Sequence, residues 1–250
     1  MRKPFLPALG LAFALFAAPV AATDITAMNA EETEAFGAAV RAYLLENPEV
    51  LMEAIAVLEQ RQAQAQVADD ASLIRTNAKD IFDDGYSVVM GNPDGDVTMV
   101  EFLDYRCGFC KRAFPEVQEL LASDGNIRFV VKEFPILGDD SVLASQFAIS
   151  TQILFGDEAY TKVHDELMTM RASVSEASLL AVAERLGLDG QAIMDGIDNP
   201  IINQVIGANH ALAQRLKITG TPGFVVGEQM MRGYVPLENM RQIVAEVRAQ

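Results

Sequence analysis

Apolar side chains recur at helical spacing between residues 23 and 83. They return every three or four positions, which places them on one face of a helix. This stripe consists of Phe36, Val40, Tyr43, Leu44, Leu51, Ile55 and Leu58. Asn47 and Pro48 interrupt it and predict a second helix, with Asn47 as its N-cap. Because a lone helix would expose the stripe to water, we expect residues 23–83 to form an oligomerisation segment. The alternative is that they fold back onto the main domain.

Alternating strands and helices are predicted for the rest of the chain. Short apolar runs predict strands at residues 87–90, 97–103, 127–131, 224–226 and 229–234. One helical pattern follows the second run, several more lie between the third and the fourth, and the last begins at Pro236. This order predicts an α/β domain over residues 84–250, with a helical insertion at about 138–217.

The first 22 residues have the pattern of a secretory signal peptide. Arg2 and Lys3 precede a mostly apolar run from Phe5 to Val20, and small residues follow that run. A membrane anchor is the alternative, but the apolar run is short and is interrupted by prolines. We therefore expect residues 1–22 to be cleaved and the mature chain to be periplasmic.

Charge and cysteine content narrow the function. The formal net charge of −16 makes nucleic acid an unfavourable partner, because the two surfaces would repel each other. The chain has only two cysteines, Cys107 and Cys110. An oxidising compartment permits structural disulfides, but closing so short a loop restrains the unfolded chain little. Redox chemistry is therefore a better explanation of the pair than a structural role.

A Cys-x-x-Cys motif directly follows a predicted buried strand and begins a predicted helix. The unpaired N–H groups and the dipole of a helix start favour an anion, so they lower the pKa of a thiol placed there. Arg106, Lys111 and Arg112 add positive charge nearby. We therefore expect Cys107 to be the attacking thiolate and Cys110, one helical turn later, to be the resolving thiol.

Metal and haem sites explain the motif less well. Attachment of haem requires a histidine after Cys110, where Lys111 stands. A structural zinc site needs four ligands, and only His164 and His210 could complete one. No cofactor and no resident metal are therefore expected. Copper(I) binding by the two thiolates stays open as a non-enzymatic alternative, since soft sulfur suits that ion.

Two separated motifs resemble one known family. Residues 101–110 read Glu-Phe-Leu-Asp-Tyr-Arg-Cys-Gly-Phe-Cys, and residues 219–224 read Thr-Gly-Thr-Pro-Gly-Phe. Placed on either side of a helical block, they resemble the DsbA-like branch of the thioredoxin superfamily, the periplasmic thiol–disulfide oxidoreductases. The resemblance covers about residues 84–250. It implies a thioredoxin fold, exported protein substrates that are unfolded or misfolded and contain cysteines, and a membrane redox partner protein.

The resemblance also implies roles for single residues. Pro222 would be the cis-proline that faces the disulfide, and the backbone of Thr221 would pair with a substrate chain. The alternative for Pro222 is an ordinary turn proline. Glu101 would be a buried acid that relays a proton for Cys110. The alternative for Glu101 is a salt bridge with Lys132 at the strand edge.

One position departs from the oxidase pattern of that family. Gly108 and Phe109 stand between the cysteines, where the classical oxidases have Pro-His. Without that histidine a stabiliser of the thiolate is missing, so we expect a less oxidising disulfide. Gly followed by an aromatic residue, with Thr221 before the proline, is more similar to DsbC-type isomerases. The N-terminal segment also fits isomerases and ScsC-like proteins, so isomerisation or reduction is favoured over net oxidation.

Overall fold

The computed structural model describes residues 27–249, so the predicted signal peptide lies outside the described residues. Within them the backbone forms one five-stranded mixed sheet. Its strands are β1 (Val89–Gly91), β2 (Val97–Leu103), β3 (Ile127–Glu133), β4 (Gly223–Val226) and β5 (Gln229–Arg232). Across the sheet the order is β1-β3-β2-β4-β5, and β2 and β3 are its parallel pair.

Ten helices accompany the sheet within residues 27–249. They are α1 (Ala30–Glu46), α2 (Glu49–Thr76), α3 (Ala78–Phe82), α4 (Gly108–Asp124), α5 (Asp139–Phe155), α6 (Asp157–Thr169), α7 (Glu176–Leu186), α8 (Gly190–Asp195), α9 (Pro200–Arg215) and α10 (Leu237–Arg248). Helices α5 to α9 form an insertion between β3 and β4, so the predicted α/β class and helical insertion are confirmed. None of the described helices is long and apolar enough to cross a membrane.

Side chains cover both faces of the sheet. Alternation along β2 directs Met99 and Leu103 to one face and Val100 and Phe102 to the other. The first face packs against α4, α10 and part of the insertion, and the second against the end of α2, α3 and α9. Strand β2 is therefore buried along almost its whole length, as its nearly continuous apolar sequence requires.

Residues 27–59 belong to the first of two compact units, and residues 60–249 to the second. In the first unit α1 buries no side chain, and most of the predicted apolar stripe is exposed. The large exposed apolar side chains there are Phe36, Val40, Tyr43, Leu45, Leu51, Met52, Ile55, Val57 and Leu58. Asn47 differs from its predicted role, because its side-chain amide donates to the Tyr43 carbonyl at the end of α1 and does not cap α2.

The second unit includes the last part of α2 and all of α3. Ile74 near the end of α2 and Ile81 in α3 are buried in the core of the second unit. Arg232 of β5 also donates two hydrogen bonds to the carboxylate of Asp70 in α2. The helical pattern of α2 alone does not reveal these contacts, because Ile74 and Asp70 continue the same helix as its exposed residues.

A buried carboxylate joins the helical insertion to the sheet. Glu133, the last residue of β3, accepts hydrogen bonds from the hydroxyl groups of Tyr105, Tyr160 and Ser145. Its backbone carbonyl accepts a hydrogen bond from the side chain of Asn209 in α9. One residue thus connects β3 with the turn after β2 and with three helices of the insertion.

The salt bridge between Lys132 and Asp84 gives the first testable prediction. Both side chains are buried, and the Lys132 ammonium also donates to the Asp80 carbonyl. Asp84→Asn leaves a buried ammonium without its counter-charge, so we expect a loss of about 3–5 kcal/mol in the free energy of unfolding. Urea denaturation would measure it.

The matched control for that experiment is Glu158→Gln. Glu158 also pairs with a lysine, but both partners are exposed. Such exposed pairs contribute little to stability, so the loss in this variant should be much smaller than in Asp84→Asn. Equal losses in the two variants would contradict the assignment of a structural role to the buried pair.

Candidate active site

Cys107 and Cys110 lie at the first turn of α4, just beyond the carboxyl end of β2. Cys107 is the N-cap residue and Cys110 belongs to the first turn. Asp104 shapes the connection, because its carboxylate accepts hydrogen bonds from the N–H of Arg106 and from two N–H groups in the segment after β3. Both cysteines are free thiols in this structure.

The two thiols differ in exposure and in pKa. Cys107 is 7% exposed, whereas Cys110 is completely buried. A hydrogen bond from Cys110 is the largest effect on Cys107 and lowers its pKa to about 5; the Thr221 side chain and two N–H groups at the helix start act in the same direction, and burial opposes them. The same bond, burial and the nearby Glu101 raise the pKa of Cys110. At neutral pH the pair therefore holds a thiolate on Cys107 and a thiol on Cys110.

A loop with a cis-proline faces Cys107 from the other motif. The Thr221–Pro222 peptide bond is cis, and the Cys107 sulfur lies 3.2 Å from the Thr221 carbonyl oxygen. Pro222 is buried and Thr221 is half-buried. The Pro222 carbonyl accepts a hydrogen bond from Gly233, which follows β5. The structure thus brings the two distant sequence motifs together at one place.

Glu101 lies below the thiols in the middle of β2. It is only 2% exposed, and its Oε1 atom has no hydrogen-bond partner among the described residues. Burial raises the pKa of Glu101 to about 8, and the negative charge of Cys107 adds to the effect. A carboxyl group with such a pKa can exist in either protonation state near neutral pH.

The alternative that paired Glu101 with Lys132 is wrong. In the parallel register Glu101 lies beside Val131, and Phe102 lies beside Lys132. Neighbouring residues of a strand point to opposite faces of the sheet, so the two charged side chains lie on different faces. Lys132 instead forms its salt bridge with Asp84.

The basic side chains near the motif contribute less than their positions in the sequence suggested. Arg106 donates to the Leu137 carbonyl, and Lys111 donates to the Met170 carbonyl. Arg112 stacks over the ring of a tyrosine. The low pKa of Cys107 is therefore due to hydrogen bonds at the helix start and from neighbouring side chains, and not to a cationic partner.

Two polar residues that support the site were missed in the sequence. Asp104 holds the turn before Cys107, and Glu133 holds Tyr105 within that turn. Their position at the carboxyl ends of β2 and β3 was a usable signal, because parallel strands end at the same edge of a sheet. His164 belongs to the same buried cluster, 3.2 Å from the Tyr105 hydroxyl, and burial lowers its pKa to about 4. Among residues 27–249, no group of three or more potential ligands is placed to hold a metal ion.

The raised pKa of Glu101 predicts a pH-dependent difference between the wild type and Glu101→Gln. The ordinary pKa of this group is 4.5 and its folded value is about 8. Between these values the folded state binds more protons than the unfolded state, so the stability of the wild type falls as pH rises. The variant lacks this effect and should gain stability relative to the wild type between about pH 4.5 and 8.

Denaturation of both proteins in the disulfide form measures this difference without interference from thiol titration. Burial, the main cause of the shift, persists in that form. The contribution of Glu133, whose pKa burial raises to about 7, cancels because both proteins contain it. Parallel stability profiles across the whole range would contradict the assignment.

Known proteins are similar to this chain in fold and in sequence. A family profile described as the DSBA-like thioredoxin domain matches residues 98–245, and one described as the copper resistance protein ScsC N-terminal domain matches residues 32–65. A thioredoxin-like oxidoreductase from Silicibacter pomeroyi is 37% identical with a TM-score of 0.65, and it covers 69% of this chain and 98% of its own. The predicted thioredoxin fold is thereby confirmed.

Two further structures are similar over a larger part of the chain. The thiol-disulfide exchange protein alpha-DsbA2 from Wolbachia pipientis is 29% identical with a TM-score of 0.69, over 73% of this chain and 98% of its own. Proteus mirabilis ScsC in a transitional conformation is 27% identical with a TM-score of 0.65, over 90% and 98% of the two chains.

Curated sequences of another kind also match. The Na(+)/H(+) antiporter NhaA 1 of Salinispora arenicola is 31% identical over 62% of this chain, and this chain spans only about a quarter of that protein, 24%. The match to the DSBA-like profile, in contrast, covers more than half of the present chain and includes both cysteines and the cis-proline. The chain therefore belongs to the family of DSBA-like thioredoxin domains and has an ScsC-like N-terminal segment.

Proposed function

We propose that this protein is a periplasmic thiol–disulfide oxidoreductase that acts on protein disulfides. The observation that carries the proposal is the pairing of a low-pKa thiol at Cys107 with the Thr221 carbonyl at 3.2 Å. The first group is a nucleophile, and the second belongs to Thr221, a half-buried residue whose backbone would pair with an extended substrate chain. The predicted signal peptide and family membership support the location.

The first chemical step is thiolate attack on a substrate disulfide. The Cys107 thiolate bonds to one substrate sulfur, the substrate S–S bond breaks, and the other substrate sulfur leaves as a thiolate. Cys107 is only slightly exposed, so the substrate disulfide must come close to the cis-proline loop that faces this thiolate. The product is a mixed disulfide between Cys107 and the substrate.

The second step needs a proton acceptor for Cys110. In the mixed disulfide the Cys107 charge is gone, and with it one of the two effects that raise the pKa of Glu101. The Glu101 carboxylate is then more populated and takes the proton of Cys110. The resulting Cys110 thiolate attacks the Cys107 sulfur, releases the substrate thiolate and leaves an enzyme disulfide. Two electrons have then passed from the enzyme to the substrate.

Isomerisation and reduction fit this site better than net oxidation. The low pKa of Cys107 supplies a thiolate at neutral pH, and a reduced pair is the form that attacks incorrect disulfides. The same stabilisation also makes the disulfide a capable oxidant, so the preference rests on the other features of the motif. The motif holds no histidine between the cysteines, and Phe109 is exposed there beside the nucleophile. An apolar exposed side chain suits unfolded or misfolded substrates. A membrane redox partner would return the enzyme to the dithiol.

The domain arrangement forms part of the same proposal. Residues 1–22 would be removed, residues 84–250 would carry the catalytic domain, and the exposed stripe within residues 23–83 would hold copies of the chain together. The support for self-association is that the first unit leaves most of this apolar stripe exposed. An assembly would place several Cys107 thiols around one substrate.

Cysteine variants test the chemistry. We expect Cys107→Ser to abolish the repair of a scrambled disulfide substrate, because the nucleophile is lost. Cys110→Ser should instead accumulate mixed disulfides, because the buried resolving thiol is lost while Cys107 still attacks. Non-reducing electrophoresis and mass spectrometry would measure both results. Faster alkylation of Cys110 than of Cys107 at pH 6 would contradict the assigned roles.

The same variants separate catalysis from copper binding. A copper(I) protein would bind the ion tightly in the wild type, lose it in either variant, and leave scrambled substrates unrepaired. An oxidoreductase repairs such substrates in metal-free buffer that contains a chelator. The resting redox state of the pair in its compartment then separates a reduced isomerase from an oxidised net oxidase.

Substitutions on α2 test the assembly. Ile55→Glu places a charge in the apolar stripe, so we expect a smaller particle by analytical ultracentrifugation and poorer repair of scrambled proteins, with small disulfides still reduced. Val57→Glu is the matched control: Val57 is 47% exposed against 48% for Ile55, but it lies about 200° away around the helix. A monomeric wild type would contradict the proposed assembly.

A further inference from the structure

An open cleft of about 700 Å³ lies beside the turn that precedes Cys107. Its walls are the first turns of α4 on one side and the connection between α6 and α7 on the other. Apolar side chains cover part of it, among them Phe114, Pro115 and Met168. Its volume lies within the range of clefts that bind small ligands and short peptide segments.

The charge of this cleft is opposite to that of the whole protein. Three basic residues, Arg106, Lys111 and Arg171, line it, and no aspartate or glutamate belongs to its lining. The complete chain has 35 acidic and 19 basic residues. A cleft that is basic and apolar is therefore a local exception on an acidic protein.

The three basic side chains of the cleft make few salt bridges and hydrogen bonds with the described residues. Arg171 is exposed and makes no salt bridge within residues 27–249. Lys111 donates one hydrogen bond to the Met170 carbonyl, and its ammonium has two more N–H groups. Arg106 lies 3.6 Å from Asp140, and both side chains are about half exposed. A carboxylate in the cleft would find donors on both walls.

The position of the cleft relates it to the reaction. Arg106 directly precedes Cys107, so their Cα atoms are about 3.8 Å apart. The Cys107 sulfur faces the Thr221 carbonyl. The cleft is lined by Arg106 and by the first turns of α4. A substrate chain that is joined to Cys107 therefore has residues near the reactive cysteine within reach of this cleft.

We propose that the cleft binds an acidic side chain, together with neighbouring apolar residues, on one flank of the reactive cysteine of the substrate polypeptide. This inference rests on the proposed function, because the ligand is the disulfide substrate of Cys107. The three cations give the cleft its preference for a carboxylate, and the apolar wall accommodates the adjacent side chains. The net charge of −16 repels acidic chains at long range, so the cleft selects by local contact.

Peptide mixed disulfides test the preference on the complete mature protein in its dithiol form. Three peptides of one apolar sequence carry a single cysteine bonded to thionitrobenzoate, with Glu, Gln or Lys two positions from that cysteine. Release of the coloured thiolate gives the rate constant of attack by Cys107. We expect the Glu peptide to react about three times faster than the Lys peptide at low ionic strength, and the ratio to approach one in 1 M salt.

Single substitutions separate the cleft from the general charge of the protein. Arg171→Glu should reverse the ratio, so that the Lys peptide reacts faster than the Glu peptide. Lys162→Glu is the control for the same change of two charge units on the insertion, because Lys162 is exposed on α6 outside the cleft. It should keep the wild-type ratio. Circular dichroism and thermal unfolding would show that both variants are folded.

The outcomes distinguish the two proposals. Equal rates for the Glu and Lys peptides in the wild type would overturn the docking proposal. An unchanged ratio in Arg171→Glu, or the same change of ratio in Lys162→Glu, would also overturn it. No reaction of the wild type with the Gln peptide would instead overturn the proposed thiol–disulfide exchange. A Gln reaction with no charge preference would leave the exchange chemistry supported and the acidic docking site refuted.

Discussion

The carboxylate of Glu133 is the contact on which the arrangement of this protein depends. It accepts hydrogen bonds from three hydroxyl groups, those of Tyr105, Tyr160 and Ser145. The backbone carbonyl of Glu133 accepts a hydrogen bond from the side chain of Asn209. These partners belong to the turn before Cys107 and to three helices of the insertion. Because all of them are buried, each unpaired group would be costly, so the insertion has one favourable position on the sheet.

The same contact explains why the active site is ordered without a disulfide. Tyr105 lies two residues before Cys107 and is fixed by Glu133, while Asp104 ties that turn to the segment after β3. Cys107 is thereby held at the N-terminus of α4, where N–H groups stabilise its thiolate. Reduction and formation of the disulfide can therefore change the chemistry of the pair while these polar contacts maintain its position.

Features that depend on the local sequence pattern could be predicted from the sequence, whereas features that depend on contacts between distant residues could not. The bounds of β2, from Val97 to Leu103, could be predicted because a buried strand is apolar throughout, and the motif after it marks the helix start. The partner of Lys132 could not be predicted from the sequence, because a register shift of one residue moves every side chain of a strand to the other face of the sheet. The core contacts of α2 could not be predicted for a related reason: Ile74 continues a helical pattern whether or not it contacts a core.

Two buried carboxyl groups and one thiolate share the interior near the sheet edge, and their titrations oppose one another. Burial raises the pKa of Glu101 to about 8 and that of Glu133 to about 7, so each group destabilises the fold as pH rises above 4.5. The lowered pKa of Cys107 has the opposite effect, but only in the dithiol form. Reduction of an ordinary disulfide takes up two protons, but reduction of this pair takes up only one at a pH above the pKa of Cys107. Relative to an ordinary dithiol, the folded protein therefore favours its reduced form more as pH rises. A reducing partner can then keep the pair as a dithiol, which is the form that an isomerase uses, although the same stabilisation makes the disulfide a capable oxidant. The direction of the net reaction is thus set by the partner that renews the pair, and not by the pKa of Cys107 alone.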